Sequence, residues 1–153
     1  MANTYTQLYI HYVFAVQNRR SLILDNWQRE LYKYMNGIIE QQGHKPFAIN
    51  GMPDHVHVLV SMGPTQAPSD LMYQIKRSSS LWINENKFVP GKFSWQEGFG
   101  AFSYGKSQIP DITRYIDNQQ KHHTKRTFYE EYLEFLKAFD IDYDERYVFK
   151  PID

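Results

Sequence analysis

The sequence His55-Val56-His57-Val58-Leu59-Val60 alternates valine with other side chains along its whole length. A β-branched run with a period of two is typical of a β-strand, in which residues two apart share a face. The three valines are therefore predicted on one face, and the two histidines on the opposite face. Two imidazoles held side by side on a strand can bind one metal ion. A histidine pair can equally be buried for structural reasons, so a second feature is needed.

That second feature is the stretch 109–123, which contains Tyr115 and Gln119. A proline in its second position is typical of the first turn of a helix. Isoleucines recur at spacings of three and four, which predicts a buried stripe. Tyr115 and Gln119 are four residues apart, so a helix would present a phenol and a carboxamide together on a neighbouring face. Taken alone, Tyr115 is better explained by packing at a helix edge beside a solvated glutamine, because the chain has 12 tyrosines.

The rest of the chain is predicted to alternate strands and helices. The first half is predicted to contain a strand over 6–16, a helix from an Asp25 cap to Gly43, a strand over 45–50 and a turn over 51–54 that leads into the histidine strand. A loop over 63–68 is then followed by a helix from a Ser69 cap to about Asn86, with Leu81 facing inward. The second half is predicted to contain one or two short strands over 93–104, a flexible joint over 105–107, the Tyr115 helix and a final helix over 128–139. The order βαββαβ with added helices predicts an α+β fold with a ferredoxin-like or RRM-like antiparallel sheet. The first two helices would cover one face and leave the histidine face to the Tyr115 helix.

Composition narrows the class of protein. The 153 residues fit a single domain over 1–153. The chain has no cysteine, which excludes disulfides and thiolate zinc sites. No apolar run is long enough to span a membrane, and no signal segment begins the chain. We therefore expect a cytoplasmic protein that does not bind membranes.

The net charge of zero hides an uneven distribution. Residues 1–127 contain 14 basic and 9 acidic residues, and the acidic C-terminal segment 128–153 contains 3 basic and 8 acidic ones. A basic body can follow the phosphates of a nucleic acid. The acidic segment is interpreted first as a solvated helix face, with a brake on non-specific binding as the alternative.

Together, the His-hydrophobic-His strand and the Tyr-x-x-x-Gln helix resemble the single-tyrosine HUH transposases of the insertion-sequence 200/605 group. The resemblance covers most of the chain and depends on the order and spacing of several stretches. These are 9–14, 19–20, 52–60, 75–80, 95–103 and 115–123. The last twenty-five residues carry no motif of the family.

The resemblance implies an HUH endonuclease fold and a DNA transposase that acts on single strands folded into hairpins. It implies that His55, His57 and Gln119 bind one Mg²⁺ or Mn²⁺, and that Tyr115 is the nucleophile that forms a 5′-phosphotyrosine link. It also implies a homodimer with composite active sites, in which the Tyr115 helix swings on the joint over 105–107. An active mobile-element enzyme and a domesticated relative are both compatible with it.

Other polar residues are weaker candidates. Contacts to the DNA backbone are predicted for several basic side chains, namely Arg19, Arg20, Lys76, Arg77 and His123, although clustered charges are usually solvated. His11 on the first strand is either a partner of the metal ligands, a third metal neighbour or a structural histidine.

Two functions from other classes stay open at this point. The chain can be a single-stranded nucleic-acid-binding protein without catalysis, in which aromatic side chains stack on bases. It can also be a metal-dependent phosphoesterase that uses His55, His57 and either His122 or His123 with water as the nucleophile.

Overall fold

The strands of the chain form one antiparallel sheet in the computed structural model, which describes residues 3–122 and 127–144. The four strands are β1 (Tyr9–Ala15), β2 (Lys45–Met52), β3 (His55–Ser61) and β4 (Gly100–Tyr104), in the spatial order β2-β3-β1-β4. The helices are α1 (Gln28–Gln41), α2 (Pro68–Asn86), α3 (Ile109–Asp117), α4 (Gln119–His122) and α5 (Phe128–Ala138). The predicted α+β fold with a βαββαβ order is confirmed.

The register between β1 and β3 decides where the histidines lie. His11 pairs with Leu59, Val13 with His57 and Ala15 with His55. Because directly paired residues of antiparallel strands share a face, the three histidines of these strands all project from one side of the sheet. The two central strands therefore carry the candidate site.

The opposite, valine face of the sheet forms the main core. Val56, Val58 and Val60 are fully buried there with Tyr12 and Phe14 of β1. Helices α1 and α2 supply the other side of this core, as predicted. Apolar burial of this extent anchors the sheet that positions the histidines.

Helices α3 and α5 cover the histidine face. From α3, Ile112 and Ile116 pack against Leu59 of β3. From α5, Phe128 and other apolar side chains pack against β1 and β4. The position of α3 was expected, whereas α5 was not predicted to lie on this face.

Several local predictions were wrong by a turn or less. Helix α1 begins at Gln28, with Trp27 and not Asp25 at the cap position, and α2 begins at Pro68, with Ala67 at the cap position. Proline fits the first helical position because it has no amide hydrogen to leave unpaired. Leu81 is half exposed, because Ser79 and Ile83 form the inward face of that turn of α2.

The region before α3 also differs from the prediction. The proposed joint is occupied in part by a turn of 3-10 helix over Lys106–Gln108, and a hydrogen bond from the Gly105 amide to the Gln108 side chain closes it.

Among the described residues, no helix combines the length and the apolar character that crossing a membrane needs.

Candidate metal and nucleophile site

Side chains from four elements meet on the histidine face. His55 and His57 come from β3, Tyr115 from α3, Gln119 from the start of α4 and Glu131 from α5. Both histidines, Gln119 and Glu131 are completely buried. The sheet fixes the imidazoles, and three separate helices bring the other groups to them.

The proton on His55 is positioned by residues that precede it. Its Nδ1 lies 2.8 Å from Asp54 Oδ1, and the other carboxylate oxygen of Asp54 accepts two hydrogen bonds from Arg19 at 2.8 and 3.0 Å. Burial by itself would raise the pKa of Asp54, but the hydrogen bond with His55 and the Arg19 guanidinium outweigh it and lower the pKa to about 2. Asp54 is therefore an anion that accepts the Nδ1–H of His55.

The other nitrogen of His55 presents a lone pair to the site. Burial lowers the pKa of His55 to about 4, against the opposing effect of the hydrogen bond to Asp54. A neutral imidazole with its proton on Nδ1 has a bare Nε2. That Nε2 lies 3.2 Å from Gln119 Oε1 and 3.7 Å from Glu131 Oε1. Three acceptor atoms thus face one another without a hydrogen between them, which is an arrangement that a cation would stabilise.

The Gln119 amide is held in the orientation that this arrangement needs. Its Nε2 donates to Glu131 Oε2 at 3.2 Å, which turns Oε1 toward His55. Helix α3 ends at Asp117, so Gln119 belongs to a second short helix and not to the Tyr115 helix as predicted. The phenol and the carboxamide nevertheless reach the same place, because both donate to Glu131.

His57 is linked to His11 on the neighbouring strand. His11 Nε2 lies 2.7 Å from His57 Nδ1, and the two rings stack with centroids 5.0 Å apart. On its other side, His57 Nε2 lies 3.0 Å from Glu131 Oε1. A metal at Nε2 requires the proton of His57 to be on Nδ1, where His11 Nε2 can accept it. His11 is thus a direct partner of His57, and burial lowers its pKa.

Tyr115 contacts this cluster within a single chain. Its hydroxyl donates to Glu131 Oε2, and its ring meets the ring of His57 edge-on with centroids 6.1 Å apart. Its helix is anchored by Ile116, which is fully buried, and by a cap of hydrogen bonds from the Asn50 side chain to the carbonyls of residues 116 and 117. The strand β2 therefore fixes the tyrosine relative to the histidines.

The donor atoms of the site fit a divalent cation. Ligand atoms of His55, His57 and Glu131 all lie within 4.8 Å of one another. Adjacent ligands of an octahedral ion with bonds of about 2.1 Å are about 3 Å apart, close to the shortest separations found here. Carboxylate and amide oxygens suit hard cations such as Mg²⁺ and Mn²⁺, and imidazole nitrogens suit transition metals such as Zn²⁺, so the donor set fits a divalent cation without selecting one.

A cavity of about 440 Å³ lies against this cluster. Tyr115, Glu131, Asp111 and Glu134 are among the residues that line it. It gives access to the phenol from outside, but three carboxylates repel a DNA phosphate. Bound cations would offset that repulsion.

The predicted DNA-contacting residues are placed in different ways. Arg20 and Arg77 are exposed, whereas Arg19 pairs with Asp54 and lies over the Phe128 ring. The ammonium group of Lys76 donates to the carbonyls of residues 96 and 98 at 2.8 and 2.6 Å. Their roles toward DNA stay predictions. His123 and the side chain of His122 lie outside the described residues.

Glu131 is the member of the cluster that sequence reasoning missed. It lies in the acidic segment that was interpreted first as a solvated face. A signal was present, because Phe128, Tyr132 and Leu136 recur every four residues and Glu131, three after Phe128, lies beside that stripe. A glutamate on the apolar side of a helix indicates a buried carboxylate that needs a partner.

The chain is similar to known transposases in both sequence and fold. Residues 4–119 match the model of the family described as "Transposase IS200 like". The ISDra2 transposase TnpA of Deinococcus radiodurans is 25% identical over 118 residues, which cover 74% of this chain and 84% of that protein.

Two solved structures share the fold. One is the crystal structure of a candidate transposase from Deinococcus radiodurans R1, with a TM-score of 0.62, 23% identity, and coverage of 76% of this chain and 94% of that one. The other is a REP-associated tyrosine transposase bound to a REP hairpin, with a TM-score of 0.61 and 16% identity. The match covers 93% of this chain and 90% of that one.

Proposed function

The chain belongs to the IS200-like transposase family, and from this premise we propose that it cleaves and rejoins single-stranded DNA through a covalent bond to Tyr115. The observation that carries the proposal is the position of the Tyr115 phenol, which lies beside His57 and shares Glu131 with Gln119. A nucleophile next to a cation site is the arrangement that phosphoryl transfer needs.

We propose that His55, His57 and Gln119 hold one Mg²⁺ or Mn²⁺. When bound, the ion would supply positive charge that neutralises the charge developing on the scissile phosphate. The Asp54 carboxylate keeps the proton of His55 on Nδ1, and His11 can accept the proton of His57 at its Nδ1. These two contacts leave both Nε2 atoms available as ligands.

In the proposed cleavage step, the Tyr115 oxygen forms a bond to phosphorus and the bond from phosphorus to the 3′-oxygen breaks. The phenol loses its proton, and the departing 3′-oxygen gains one. The product is a 5′-phosphotyrosine and a free 3′-hydroxyl. Because a phosphodiester replaces a phosphodiester, attack by another 3′-hydroxyl reverses the step and rejoins DNA without ATP.

The proposed substrate is a single strand that carries a hairpin. A structural neighbour is described as bound to a REP hairpin, which supports a substrate of this kind. The exposed Arg20 and Arg77 are the first candidates for phosphate contacts, because Arg19 and Lys76 already bind oxygen atoms of the protein. A DNA substrate of this kind would place the activity in the cytoplasm.

We propose a homodimer as the working form. In the single chain, Tyr115 lies near its own His57 and its helix follows a closed 3-10 turn. An exchange of α3 between chains would therefore have to open that turn and release Ile112 and Ile116 from β3. Composite sites remain a prediction, to be tested by mixing variants.

A denaturing gel tests the proposed function. End-labelled single strands bearing the palindromes that flank the gene are incubated with the protein and Mg²⁺, with and without excess chelator. We expect cleaved DNA attached to protein, and no cleavage in chelator. Cleavage without attachment would instead indicate a phosphoesterase, and intact DNA with a retarded native band would indicate a binding protein.

A further inference from the structure

A groove lies between α1 and β2, at the outer edge of the sheet. β2 is the outermost of the four strands on this side, and the groove has a volume of about 430 Å³. The residues that line it are 47–49 of β2 and four side chains of α1, namely Arg29, Tyr32, Lys33 and Asn36. None of these α1 side chains belongs to the candidate metal and nucleophile site, so the groove is a separate feature of the molecule.

The groove carries positive charge. Arg29 and Lys33 are four residues apart on α1, so they lie on the same face of the helix. Both are exposed, and neither forms an ion pair within residues 3–122 and 127–144. Lys45, the first residue of β2, is also exposed and likewise forms no ion pair there. Cations without an internal partner create a potential that attracts an anionic ligand.

The groove also has a hydroxyl group with no hydrogen-bond partner in the part of the chain that the structure describes. The Tyr32 oxygen is buried, and burial raises the pKa of Tyr32, with a smaller contribution from the charge of Asp25. The hydroxyl therefore keeps its proton and can donate to a phosphate oxygen. The Asn36 amide donates to Glu40 Oε1 at 2.5 Å, so the Glu40 carboxylate is already engaged on α1. A buried donor without a partner costs free energy, which an anionic ligand would recover.

Phe47 presents an aromatic ring at the same edge. The register of β2 on β3 shifts between Pro46 and Ala48, so Phe47 is the extra residue of a β-bulge. Phe47 is 38% exposed. The Lys45 Nζ lies 5.5 Å from the centre of its ring, and the Tyr9 ring lies beside it with centroids 5.7 Å apart. An accessible ring next to a cation is suited to stacking on an unpaired base.

We infer that this groove binds an unpaired segment of the substrate strand, with phosphates on Arg29 and Lys33 and a base stacked on Phe47. Cations follow the backbone of single-stranded DNA, and aromatic side chains stack on its bases, because every unpaired base has a free face. The inference rests on the proposed function for the choice of DNA as the anion.

Strand β2 connects the groove with the Tyr115 helix. The Asn50 side chain donates to the carbonyls at the end of α3. Phe47 lies three residues before Asn50, which is about 10 Å along a strand. The groove and the Tyr115 helix thus lie on opposite faces of one edge strand. A DNA strand that leaves the Tyr115 site can therefore reach the groove around this edge without crossing the sheet.

Two other occupants fit the groove less well. A second copy of the chain would have to pair with the edge of β2, but Pro46 has no amide hydrogen to donate and the bulge at Phe47 interrupts the ladder. A perfect DNA duplex keeps its bases stacked on one another, so it offers no free base face to Phe47.

The test is a titration of the full chain with two fluorescent DNA hairpins, followed by anisotropy in excess chelator so that cleavage does not interfere. One hairpin carries single-stranded flanks, and the other is the same hairpin without flanks. Phe47→Leu removes the ring and keeps an apolar side chain. The matched control is Tyr143→Leu, because Tyr143 is also 38% exposed and lies near β4, at the opposite edge of the sheet.

We expect Phe47→Leu to raise the Kd for the flanked hairpin at least about five-fold, which is the lower end of what one stacked base contributes. The Kd of this variant for the hairpin without flanks should stay within about two-fold of the wild type, and Tyr143→Leu should change neither Kd by more than that. Phe47→Trp should bind the flanked hairpin as tightly as the wild type, since tryptophan also stacks on bases.

The phosphate contacts are tested by the double variant Arg29→Gln, Lys33→Gln. It also carries the test if Phe47→Leu does not fold, because both side chains are exposed. The slope of log Kd against log salt for the flanked hairpin should fall by about 0.7 for each phosphate contact that is lost. The double variant Lys87→Gln, Lys92→Gln removes the same charge from exposed positions outside the groove, and it should leave the slope unchanged.

The inference is overturned if Phe47→Leu binds the flanked hairpin as tightly as Tyr143→Leu does, or if it weakens binding of both hairpins to the same extent. Equal salt slopes for the two double variants would also overturn it. A change in the sedimentation mass of Phe47→Leu with unchanged DNA affinity would make the groove an interface between copies of the chain and would contradict the DNA assignment.

Failure of this inference and failure of the proposed function give different results. If the wild type forms the DNA adduct while Phe47→Leu and the Arg29, Lys33 double variant bind DNA as their controls do, only the groove assignment is wrong. If binding of the flanks depends on Phe47 but the wild type forms no adduct, the groove assignment stands and the transposase reaction does not.

Discussion

The docking of α5 on the histidine face is tested by replacing Phe128 with alanine. Phe128 is the first residue of α5 and is 2% exposed. Its ring stacks on the His55 ring with centroids 4.0 Å apart, and the Arg19 guanidinium carbon lies 4.6 Å from the centre of the ring. The phenyl group is thus held between the site and a cation, and its loss would remove the contact that fixes α5 beside Glu131.

The expected loss of stability is large. Phe→Ala substitutions at buried positions cost about 3–5 kcal/mol, from lost transfer free energy and the cavity left behind. The contact with Arg19 adds about 0.5–1 kcal/mol. We therefore expect the free energy of unfolding to fall by about 5 kcal/mol. With a denaturant dependence of about 2 kcal/mol/M, the urea midpoint would fall by about 2.5 M.

The measurement is urea unfolding followed by circular dichroism, with Lys137→Ala as the control. Lys137 is an exposed residue of the same helix, and its replacement should change the free energy of unfolding by no more than about 0.5 kcal/mol. If Phe128→Ala were as mild as the control, α5 would not be packed against His55. The structural basis for placing Glu131 beside the histidines would then be lost.

Three further predictions concern pH, DNA form and assembly. Burial lowers the pKa of Lys76 to about 8 from its ordinary value of 10.5. Between pH 8 and 10.5, the unfolded chain therefore holds a proton that the folded chain has released, and the free energy of unfolding rises with pH. Relative to Lys76→Met, the free energy of unfolding of the wild type should rise by about 1 kcal/mol between pH 7.5 and 9.5, a value already reduced for the partial exposure of the ammonium group. If urea unfolding gives the same difference between wild type and variant at both pH values, this prediction is wrong. In a binding titration at matched salt, a hairpin with single-stranded flanks should bind more tightly than a perfect duplex of the same sequence, because unpaired bases can stack on aromatic side chains; a preference for the duplex would count against the proposed substrate. If active sites are composite, heterodimers of a Tyr115→Phe chain and a His57→Ala chain should regain one working site and form the DNA adduct on the chain that keeps Tyr115. If heterodimers form but stay inactive, the tyrosine and the metal ligands of each site come from the same chain.

The histidine strand could be predicted because its information is local. The alternation of residues 55–60 sets which side chains share a face, and the structure places all the valines in the main core. The order of strands and helices likewise followed from periodicity. The errors at Asp25 and Ser69 concern the first residue of a helix. Moving a helix start by up to one turn costs little free energy, so tertiary packing determines where the helix begins.

The site could be predicted only in part. His55, His57, Tyr115 and Gln119 do come together, but the break of the helix at Asn118 depends on how α3 meets β2, which no local pattern encodes. Glu131 was missed because a charge in an acidic segment is usually solvated. Its burial results from contacts between α5 and the sheet across more than seventy residues of chain.

The most direct test of the central claim is to identify the amino acid that becomes attached to DNA. The protein is incubated with Mg²⁺ and a hairpin-bearing single strand, the adduct is digested with protease and nuclease, and the modified peptide is sequenced by mass spectrometry. We expect a nucleotide phosphate on Tyr115, loss of the adduct in Tyr115→Phe, and its retention in Tyr104→Phe. Attachment at another residue, or an adduct that persists in Tyr115→Phe, would contradict the assignment of Tyr115 as the nucleophile.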